Sequence, residues 1–230
     1  MSTDQIPTHV GFIVDGNRRW AKKHGLPVYE GHLAGYNSLQ DVLTELLDHG
    51  VRYVSAYVFS TENWQRNEDE ISRLMKLLMR LFTKDLNIFI DKNVRLRVIG
   101  TKTGLSEQMK AAIADAEAKT ASLDSGEVIL CFNYGGQLEI VDAVKKIVKS
   151  GIEAEDVTVE AINQNLYAPD VPPCDLIVRT SGEQRLSNFM LWRAAYSEIM
   201  IIDKMWPDMT KQDVTDILKE YSSRHRRYGK

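Results

Sequence analysis

Three polar segments of the sequence, 15–20, 60–66 and 179–188, carry residue types that bind phosphate. They are called the first, second and third corners below. Each corner follows an apolar run, and together they supply five arginines: Arg18, Arg19, Arg66, Arg179 and Arg185. The flat guanidinium group donates two parallel hydrogen bonds to phosphate oxygens. A set of this size suits two diphosphates better than one small acid. The alternative interpretation is a group of scattered surface ion pairs, which are common and contribute little to stability.

The first corner, Asp15 to Trp20, adds a carboxylate to the cations. It follows the apolar run 10–14, which is typical of a buried strand, and the polar stretch 18–24 predicts an exposed helix. Asp15 beside two arginines is explained if Mg²⁺ bridges it to the phosphates, because Mg²⁺ prefers oxygen ligands and keeps substrate phosphates in its shell. An ordinary Asp-Gly-Asn turn at the end of a strand is the alternative.

The second and third corners run from Ser60 to Arg66 and from Arg179 to Asn188. Both follow strand-like runs, and both add hydrogen-bonding side chains to the arginines. The carboxyl ends of parallel strands share one edge of a sheet, and ligands of open α/β sheets bind at that edge. We therefore expect the three corners to converge.

The elements that position these corners alternate between strands and helices. Apolar runs and turn residues predict strands at 10–14, 51–59, 94–99, 128–133, 175–178 and 199–202. Apolar periodicity predicts helices at 18–24, 31–50, 69–91, 106–121, 138–148, 159–166, 189–196 and 211–227. This alternation indicates one α/β domain with a parallel sheet and helices on both faces.

Composition restricts the class of protein. The formal charge of −3 gives no overall attraction to nucleic acid, so an anion site must be local. Cys131 and Cys174 are too few and too far apart for a zinc motif or a disulfide framework, which favours a reducing compartment. The sequence has no apolar run of about eighteen residues and no signal peptide. We expect a cytoplasmic protein without a membrane span; a membrane-associated substrate stays open.

Several common catalytic motifs are absent from the sequence. It has no P-loop, no G-x-G-x-x-G fingerprint after a strand, no H-E-x-x-H pair and no serine nucleophile elbow. His32 follows the first corner closely, and it is either a phosphate contact or a surface or capping residue. The broad apolar face of 69–91 is typical of core packing, with the lining of a tunnel for a long apolar substrate as the alternative.

The sequence closely resembles the cis-prenyltransferases, and within them the undecaprenyl diphosphate synthases. The matching segments occur in the family's order over nearly the whole chain: HVGFIVDGNRRWAKKHG, GHLAG, YVFSTENWQR, VRLRVIG, FNYGG, DLIVRTSGEQRLSNFMLW, AYSEI and WPD. The resemblance implies a single domain over residues 1–230 with six mainly parallel strands surrounded by helices and a hydrophobic tunnel. It also implies assembly as a homodimer and a requirement for Mg²⁺.

The reaction implied by the resemblance is the repeated addition of isopentenyl diphosphate to an allylic diphosphate such as farnesyl diphosphate. Each addition forms a cis double bond and releases diphosphate. The implied product is a polyprenyl diphosphate, the lipid-carrier precursor for cell-wall glycan synthesis, with a peripheral membrane contact for its release. The aspartate-rich D-D-x-x-D segment of trans-type prenyl synthases is absent.

The resemblance also assigns roles to individual residues. Asp15 resembles the family's essential aspartate, a Mg²⁺ ligand, and Glu198 resembles the second carboxylate on the metal. Asn63 matches the residue that assists proton removal from the isopentenyl unit; because an amide is a weak base, diphosphate or water is the alternative acceptor. The implied substrate-binding residues are Gly16, Asn17, Arg18, Arg19, Trp20 and His32 for the allylic diphosphate, Ser60, Thr61, Glu62, Trp64 and Arg66 in the second corner, and Arg179, Arg185, Leu186 and Ser187 for isopentenyl diphosphate.

The sequence departs from the family pattern at a few positions. Val28 stands where many members have a phosphate-binding arginine, while Arg18 replaces the glycine of the usual bacterial D-G-N-G-R-W and offers a substitute cation. Gln184 stands where some bacterial members have histidine. Val58 stands where alanine is frequent, which predicts a shorter product. The C-terminal 227–229 resembles the R-x-G ending by which one subunit completes its neighbour's site.

Two other classes of protein fit less well. Non-catalytic partner subunits of eukaryotic synthases lose the D-G-N corner, whereas Asp15, Asn63 and Arg179 are all present. A phosphatase with an aspartyl nucleophile needs a second aspartate two residues after Asp15, where this chain has Asn17. The sequence thus favours an active synthase and leaves open the product length, the allylic primer and whether the dimer is homotypic.

Overall fold

All six strands of the computed structural model lie in one parallel sheet, in the order β3-β4-β2-β1-β5-β6. The structure describes residues 6–224. The strands are β1 (His9–Ile13), β2 (Tyr53–Ser60), β3 (Val94–Ile99), β4 (Gly126–Tyr134), β5 (Leu176–Thr180) and β6 (Glu198–Ile202). Every predicted strand is present, and the expected fold class is confirmed, with a sheet that is wholly rather than mainly parallel.

Eight α-helices surround the sheet within the described residues. They are α1 (Asn17–Lys23), α2 (Val28–Asp48), α3 (Glu68–Phe82), α4 (Asn87–Ile90), α5 (Glu107–Thr120), α6 (Gly136–Ser150), α7 (Val159–Asn165) and α8 (Lys211–Ser223). Side-chain oxygens of the residues before four of these helices accept backbone N–H bonds of the first turn: Asn67, Ser106, Thr158 and Thr210. Such caps satisfy donors that the helix itself leaves unpaired.

The sheet separates two apolar layers. The larger one lies under α2, α3, α5 and α8, where alternate residues of β1 such as Val10 and Phe12 are completely buried. The smaller one covers the other face and includes Ile177 and Phe189. Between residues 6 and 224, no helix combines the length and the apolar character that crossing a bilayer requires.

The predicted helix at 69–91 is wrong as a single element, because the chain forms two helices. Asp85 lies between α3 and α4 and binds side chains of other turns: Tyr36 donates its hydroxyl to Oδ2 at 2.7 Å, and Arg80 Nε lies 2.8 Å from the same oxygen. Thr83, the residue after α3, has a distorted backbone with φ −119° and ψ −77°. The apolar periodicity of 69–91 continues through this break, so the periodicity gave no sign that the helix is interrupted.

Two other predicted helices need correction. Residues 189–196 form a series of turns, since Asn188 and Met190 have φ values of 65° and 42° that a right-handed helix excludes. The last helix ends at Ser223, and Arg224 is extended with φ −82° and ψ 138°. The predicted remainder, 225–227, lies outside the described residues.

His9 makes the stability of the fold sensitive to mild acid. Its ring is fully buried, with Nε2 2.8 Å from Ser55 Oγ and Nδ1 2.9 Å from the Pro172 carbonyl oxygen. Burial lowers the pKa of His9 from 6.5 to about 4. The unfolded chain therefore binds one more proton than the native chain between these values. The free energy of unfolding should fall as the pH drops from 6.5 towards 4, by about 1.4 kcal/mol per pH unit where the difference is a full proton.

Urea unfolding of the His9→Asn variant between pH 7.5 and 5 measures this contribution. We expect the variant to be less stable at pH 7.5, with a weaker dependence on pH than the unmodified chain. The exposed His24 serves as the control, because His24→Gln should leave the slope unchanged. Equal slopes in all three proteins would contradict the assignment.

Candidate active site

The first corner is fixed to the end of β5 through Asp15. The register pairs Ile13 with Arg179, so Asp15 begins the loop beside Thr180. The backbone N–H of Asp15 donates to Thr180 Oγ1 at 3.0 Å, and Thr180 Oγ1 donates to the Asp15 carbonyl at 2.7 Å. Arg179 Nη2 lies 2.9 Å and Arg19 Nη2 3.3 Å from Asp15 Oδ2. A carboxylate and two cations thus meet at the carboxyl edge of the sheet, as the sequence predicted.

Gly16 allows the chain to turn sharply from β1 into α1. Its φ of 110° lies in the region that favours glycine, and an added Cβ would stand 2.6 Å from Ser181 Oγ. The turn carries Asn17 into a tight site, where its Oδ1 is buried without a hydrogen-bond partner among the described residues. A Cβ on Gly35 of α2 would stand 2.2 Å from that oxygen. The conformation of this turn therefore requires Gly16, and the close fit of Asn17 requires Gly35.

The third corner surrounds Arg179 with acceptors. Its Nη1 donates to Ser187 Oγ at 2.8 Å and to the carbonyl oxygen of Arg185, while Nε is buried without a hydrogen bond to any described residue. Glu183 pairs with Arg185 at 2.6 Å and with Arg19 at 3.1 Å. These contacts link the first and third corners into one charged cluster.

The second corner is a 3₁₀ helix at Thr61–Gln65 that follows β2 directly. Ser60 and Asn63 cap it reciprocally, with the Ser60 N–H donating to Asn63 Oδ1 at 3.1 Å. Asn188 Nδ2 donates to Glu62 Oε1 at 2.9 Å, which ties this corner to the third. Asn63 lines the second cleft described below. Its side-chain Oδ1 is already the acceptor for the Ser60 N–H.

A fourth cluster, which the sequence analysis did not identify, is centred on Glu70 in the first turn of α3. Glu70 Oε1 lies 3.0 Å from His32 Nε2 and 3.0 Å from Arg66 Nη1, and Oε2 lies 3.9 Å from Arg18 Nε. Burial lowers the pKa of His32, while the Glu70 carboxylate opposes that effect. Burial raises the pKa of Glu70, but the His32 hydrogen bond and the cations outweigh it and give a net lowering. The i,i+4 spacing of Arg66 and Glu70 was the available sequence signal.

Some predicted site residues have other partners. Trp20 Nε1 donates to Asp208 Oδ1 at 2.6 Å, and Trp64 Nε1 donates to Asn133 Oδ1 at 2.8 Å. Leu186 packs against the smaller apolar layer. These three residues shape the corners and contribute no polar group to the cleft between them.

Glu198 is not brought together with Asp15 in this chain. It is the first residue of β6 and pairs with Leu176 at the amino end of β5, whereas Asp15 follows the carboxyl end of β1. Its carboxylate contacts Arg224 at 3.1 Å. A strand of five residues separates the two carboxylates, so a metal shared by them within one subunit does not fit the structure.

Two adjoining clefts open where the corners meet. The first, of about 700 Å³, is lined by Val14, Asp15, Gly16, Asn17, Arg18, Arg19, Lys22, Leu26, Val28, His32 and Arg66. The second, of about 540 Å³, is lined by Ile13, Val14, Asp15, Tyr57, Ser60, Glu62, Asn63, Arg66, Arg179, Ser187 and Asn188. They share Val14, Asp15 and Arg66. Lys22 and Arg18 give the first cleft cations beside Val28.

A narrow apolar pocket leads from both clefts into the larger core. Its volume is about 110 Å³, and its walls are mostly side chains of α2, α3 and β2: Tyr36, Leu39, Tyr57, Val58, Leu74, Leu77, Leu78 and Leu81, with Trp206. Asn63 and Arg66 stand at its boundary with the clefts. The arrangement suits ligands with an anionic head and an apolar tail.

The donor set at Asp15 fits a magnesium ion carried by phosphates. Both arginines contact Oδ2, and no described residue donates a hydrogen bond to Oδ1. Among residues 6–224 no three His, Cys, Asp or Glu side chains cluster as a metal cage. Mg²⁺ is commonly held by one or two carboxylates together with substrate phosphates and water, so a single carboxylate between two anion clefts is sufficient.

The fold and the clefts define a class: a parallel α/β protein with two cation-lined clefts at one edge of its sheet and an apolar pocket that leads from them into the core. The family model described as "Putative undecaprenyl diphosphate synthase" matches residues 13–229. An isoprenyl transferase of Thermotoga maritima is 44% identical over 227 residues, covering 98% of this chain and 97% of that protein. The chain belongs to this prenyltransferase family.

Two further relatives are informative about substrates. The ditrans,polycis-undecaprenyl-diphosphate synthase ((2E,6E)-farnesyl-diphosphate specific) of Micrococcus luteus is 39% identical, with 98% of this chain and 92% of that protein covered. The crystal structure of lavandulyl diphosphate synthase from Lavandula x intermedia, in complex with dimethylallyl diphosphate, has a TM-score of 0.95 and 31% identity, and covers 99% of this chain and 100% of that one. The expected family is confirmed.

Proposed function

We propose that the protein condenses isopentenyl diphosphate with an allylic diphosphate and forms a new cis double bond in each cycle. The observation that carries this proposal is the pair of clefts that share Asp15 and Arg66 and open into one apolar pocket. Two diphosphates bound in these clefts would have their first carbons beside the shared wall. The allylic tail would then extend into the pocket, where burial of its carbons stabilises the complex.

The allylic substrate is assigned to the first cleft. Arg18, Arg19 and Lys22 supply cations there, and His32 adds a ring nitrogen. The bond between the allylic carbon and oxygen breaks as the carbon bonds to the isopentenyl unit, and the departing diphosphate gains negative charge. Groups fixed in place before the reaction stabilise that charge without reorganising.

Isopentenyl diphosphate is assigned to the second cleft. Arg179 and Ser187 line it, and Arg179 Nε is a buried donor without a partner in the described chain. The condensing unit then loses a proton to form the new double bond. Asn63 lies in this cleft, and because its Oδ1 already accepts the Ser60 N–H, we assign it to orient the acceptor, which is diphosphate or water.

Mg²⁺, when bound, supplies a positive charge that lowers the energy of the departing diphosphate. Asp15 is the residue of this chain that would hold it, through Oδ1. Because Glu198 lies at the amino end of β6, it would contribute to such a site only from a second subunit. The proposed homodimer is supported by exposed apolar side chains on α6 and at the start of β6, including Val141, Val148 and Ile199; sedimentation velocity tests it. The 227–229 ending lies outside the described residues.

Farnesyl diphosphate is the proposed primer, since the Micrococcus luteus relative is described as specific for it. The lavender enzyme binds dimethylallyl diphosphate, which is the alternative. The proposed product is a cis-polyprenyl diphosphate that serves as the precursor of a lipid carrier for cell-wall glycans. A peripheral membrane contact in the cytoplasm would receive it.

The length of the product should depend on Tyr36. Its ring is buried in the wall of the apolar pocket, and its hydroxyl is held by Asp85 at 2.7 Å. The pocket measures only about 110 Å³, so the Tyr36 ring takes up space that a growing chain needs. Tyr36→Ala should lengthen the products by about one unit or more, because neighbours only partly refill the space of a deleted ring.

Resolving labelled products by chain length measures this effect. Tyr36→Phe is the matched control: it keeps the ring, loses the Asp85 hydrogen bond and should leave the distribution unchanged. Val58→Ala removes two methyl groups from the same pocket. It should also lengthen the products, but by less than Tyr36→Ala. An unchanged distribution in Tyr36→Ala would contradict the assignment of this pocket to the growing chain.

Diphosphate release tests the proposed reaction. A coupled assay with Mg²⁺ should detect diphosphate only when isopentenyl diphosphate and an allylic primer are both present, since its release accompanies bond formation. Release from the allylic substrate alone would indicate a hydrolase. No release with dimethylallyl, geranyl or farnesyl primers from a folded protein would contradict the proposal and favour the non-catalytic partner subunit.

A further inference from the structure

Glu70 is an acidic side chain at the wall of a cleft that should bind an anion. It lies in the first turn of α3, where a carboxylate favours the helix dipole, and that alone would explain an exposed glutamate. Glu70 is instead 11% exposed and contacts three groups from other parts of the chain. Its neighbours Glu68 and Asp69 in the same turn are exposed. The buried position of Glu70 therefore needs another explanation.

The partners of Glu70 come from three separate segments. Arg18 lies on α1, His32 on α2, and Arg66 ends the 3₁₀ helix of the second corner. No single helix or strand sets the spacing between their donor groups, and the two guanidinium groups repel each other. Oε1 of the carboxylate is hydrogen-bonded to His32 and Arg66, and Oε2 forms a longer ion pair with Arg18 at 3.9 Å. The carboxylate therefore fixes the distance between them.

Glu70 and its three partners are placed differently relative to the first cleft, which indicates different roles. Arg18, His32 and Arg66 all line the cleft, whereas Glu70 is not among the residues that line it. Two arginines against one carboxylate leave a net positive charge facing the cleft. Glu70 thus does not occupy the place of the ligand.

We propose that Glu70 is a positioning residue for the allylic diphosphate: its carboxylate gathers Arg18, His32 and Arg66 into one wall of the first cleft. This inference rests on the proposed function, because it takes that cleft as the allylic site. Arg179 and Arg185 of the other site have their own acceptors at Asp15, Ser187 and Glu183. Of the three partners of Glu70, only Arg66 also lines the second cleft. Loss of Glu70 should therefore weaken binding of the allylic substrate more than binding of isopentenyl diphosphate.

Steady-state kinetics of the Glu70→Gln variant tests the proposal. Glutamine keeps the shape and removes the charge, so the allylic KM should rise about tenfold or more, the range expected when a charge-assisted hydrogen bond is lost. The KM for isopentenyl diphosphate should stay within about twofold. Glu68→Gln is the matched control, since it removes the same charge from the same helical turn. A second variant, Glu70→Asp, retains the charge on a shorter side chain. Its allylic KM should lie between those of Glu70→Gln and Glu68→Gln.

The outcomes separate this inference from the proposed reaction. An active protein in which Glu70→Gln matches Glu68→Gln, or changes both KM values equally, overturns the positioning role. Absence of condensation by the unmodified protein overturns the proposed reaction. In that case calorimetric titration with inorganic diphosphate replaces kinetics: weaker binding by Glu70→Gln than by Glu68→Gln supports the positioning role, and equal binding overturns it.

Discussion

Replacing Asp15 with asparagine should lower kcat for condensation by at least about 10³-fold, because a metal-held charge at a leaving group contributes several kcal/mol and each 1.36 kcal/mol corresponds to a factor of ten. The asparagine amide has nearly the same shape as the carboxylate, and the two backbone bonds to Thr180 do not involve the side chain. What the variant loses is the negative charge that faces Arg179 and Arg19 and would hold Mg²⁺.

The matched control for this variant is Asp208→Asn. Asp208 accepts a hydrogen bond from Trp20 of α1 and does not line the clefts, so its loss of charge should change kcat by less than about threefold. Single-turnover rates with saturating substrates measure the chemical step in both variants. An Asp15→Asn protein that kept more than a tenth of the activity would show that the carboxylate is structural.

Glu139→Gln should reduce the free energy of unfolding by about 3–5 kcal/mol, the usual cost of removing one partner of a buried ion pair. Glu139 on α6 is 1% exposed, and its Oε1 lies 2.6 Å from Nη1 of Arg193, which is 4% exposed. The Tyr134 hydroxyl donates to Oε2 at 2.5 Å, and the Tyr167 N–H donates to Oε1 at 3.1 Å. The variant leaves a buried guanidinium without its counter-charge.

Urea denaturation measures this loss, and Asp142→Asn on the same helix is its control. Asp142 accepts the Tyr167 hydroxyl but is partly exposed, so its replacement should cost about 1 kcal/mol. Activity of the folded Glu139→Gln fraction should be near normal, since the pair lies away from the clefts. A loss of less than about 1 kcal/mol would show that the pair contributes little beyond its hydrogen bonds.

The sequence predicted the sheet and the convergence of the three corners for a clear physical reason. Buried parallel strands read as short apolar runs, and parallel pairing places their carboxyl ends on one edge. Asp15 and Arg179, 164 residues apart, are joined by the adjacent positions of β1 and β5. This part of the site depends on the parallel topology of the sheet, which the alternation of strands and helices in the sequence predicts.

Other parts of the site depend on contacts that leave no local pattern. Glu70 resembles a helix-dipole residue in sequence, and its burial appears only when α1 and α2 pack beside α3. The break at Asp85 depends on Tyr36, 49 residues away. Glu198 was placed with Asp15 by resemblance, yet it begins its strand and so lies at the opposite edge of the sheet. Its proposed role now requires a second subunit.

The turns at the end of the third corner and directly after it could not be predicted from the sequence. Ser187, Asn188 and Met190 have positive φ values without being glycine, a conformation that tertiary contacts must enforce. Asn188 is held by Glu62, which gives one such contact. Ser187 and Asn188 line the second cleft, so the precise shape of this cleft could not be derived from residue types alone.

The most direct test of the account is the structure of the product. The protein is incubated with Mg²⁺, farnesyl diphosphate and labelled isopentenyl diphosphate, and the chain length and double-bond geometry of the labelled lipid are determined by chromatography and NMR. We predict that each added unit carries a cis double bond and that the product disappears with Asp15→Asn. A product with trans additions, or no labelled lipid from a folded protein, would contradict the account.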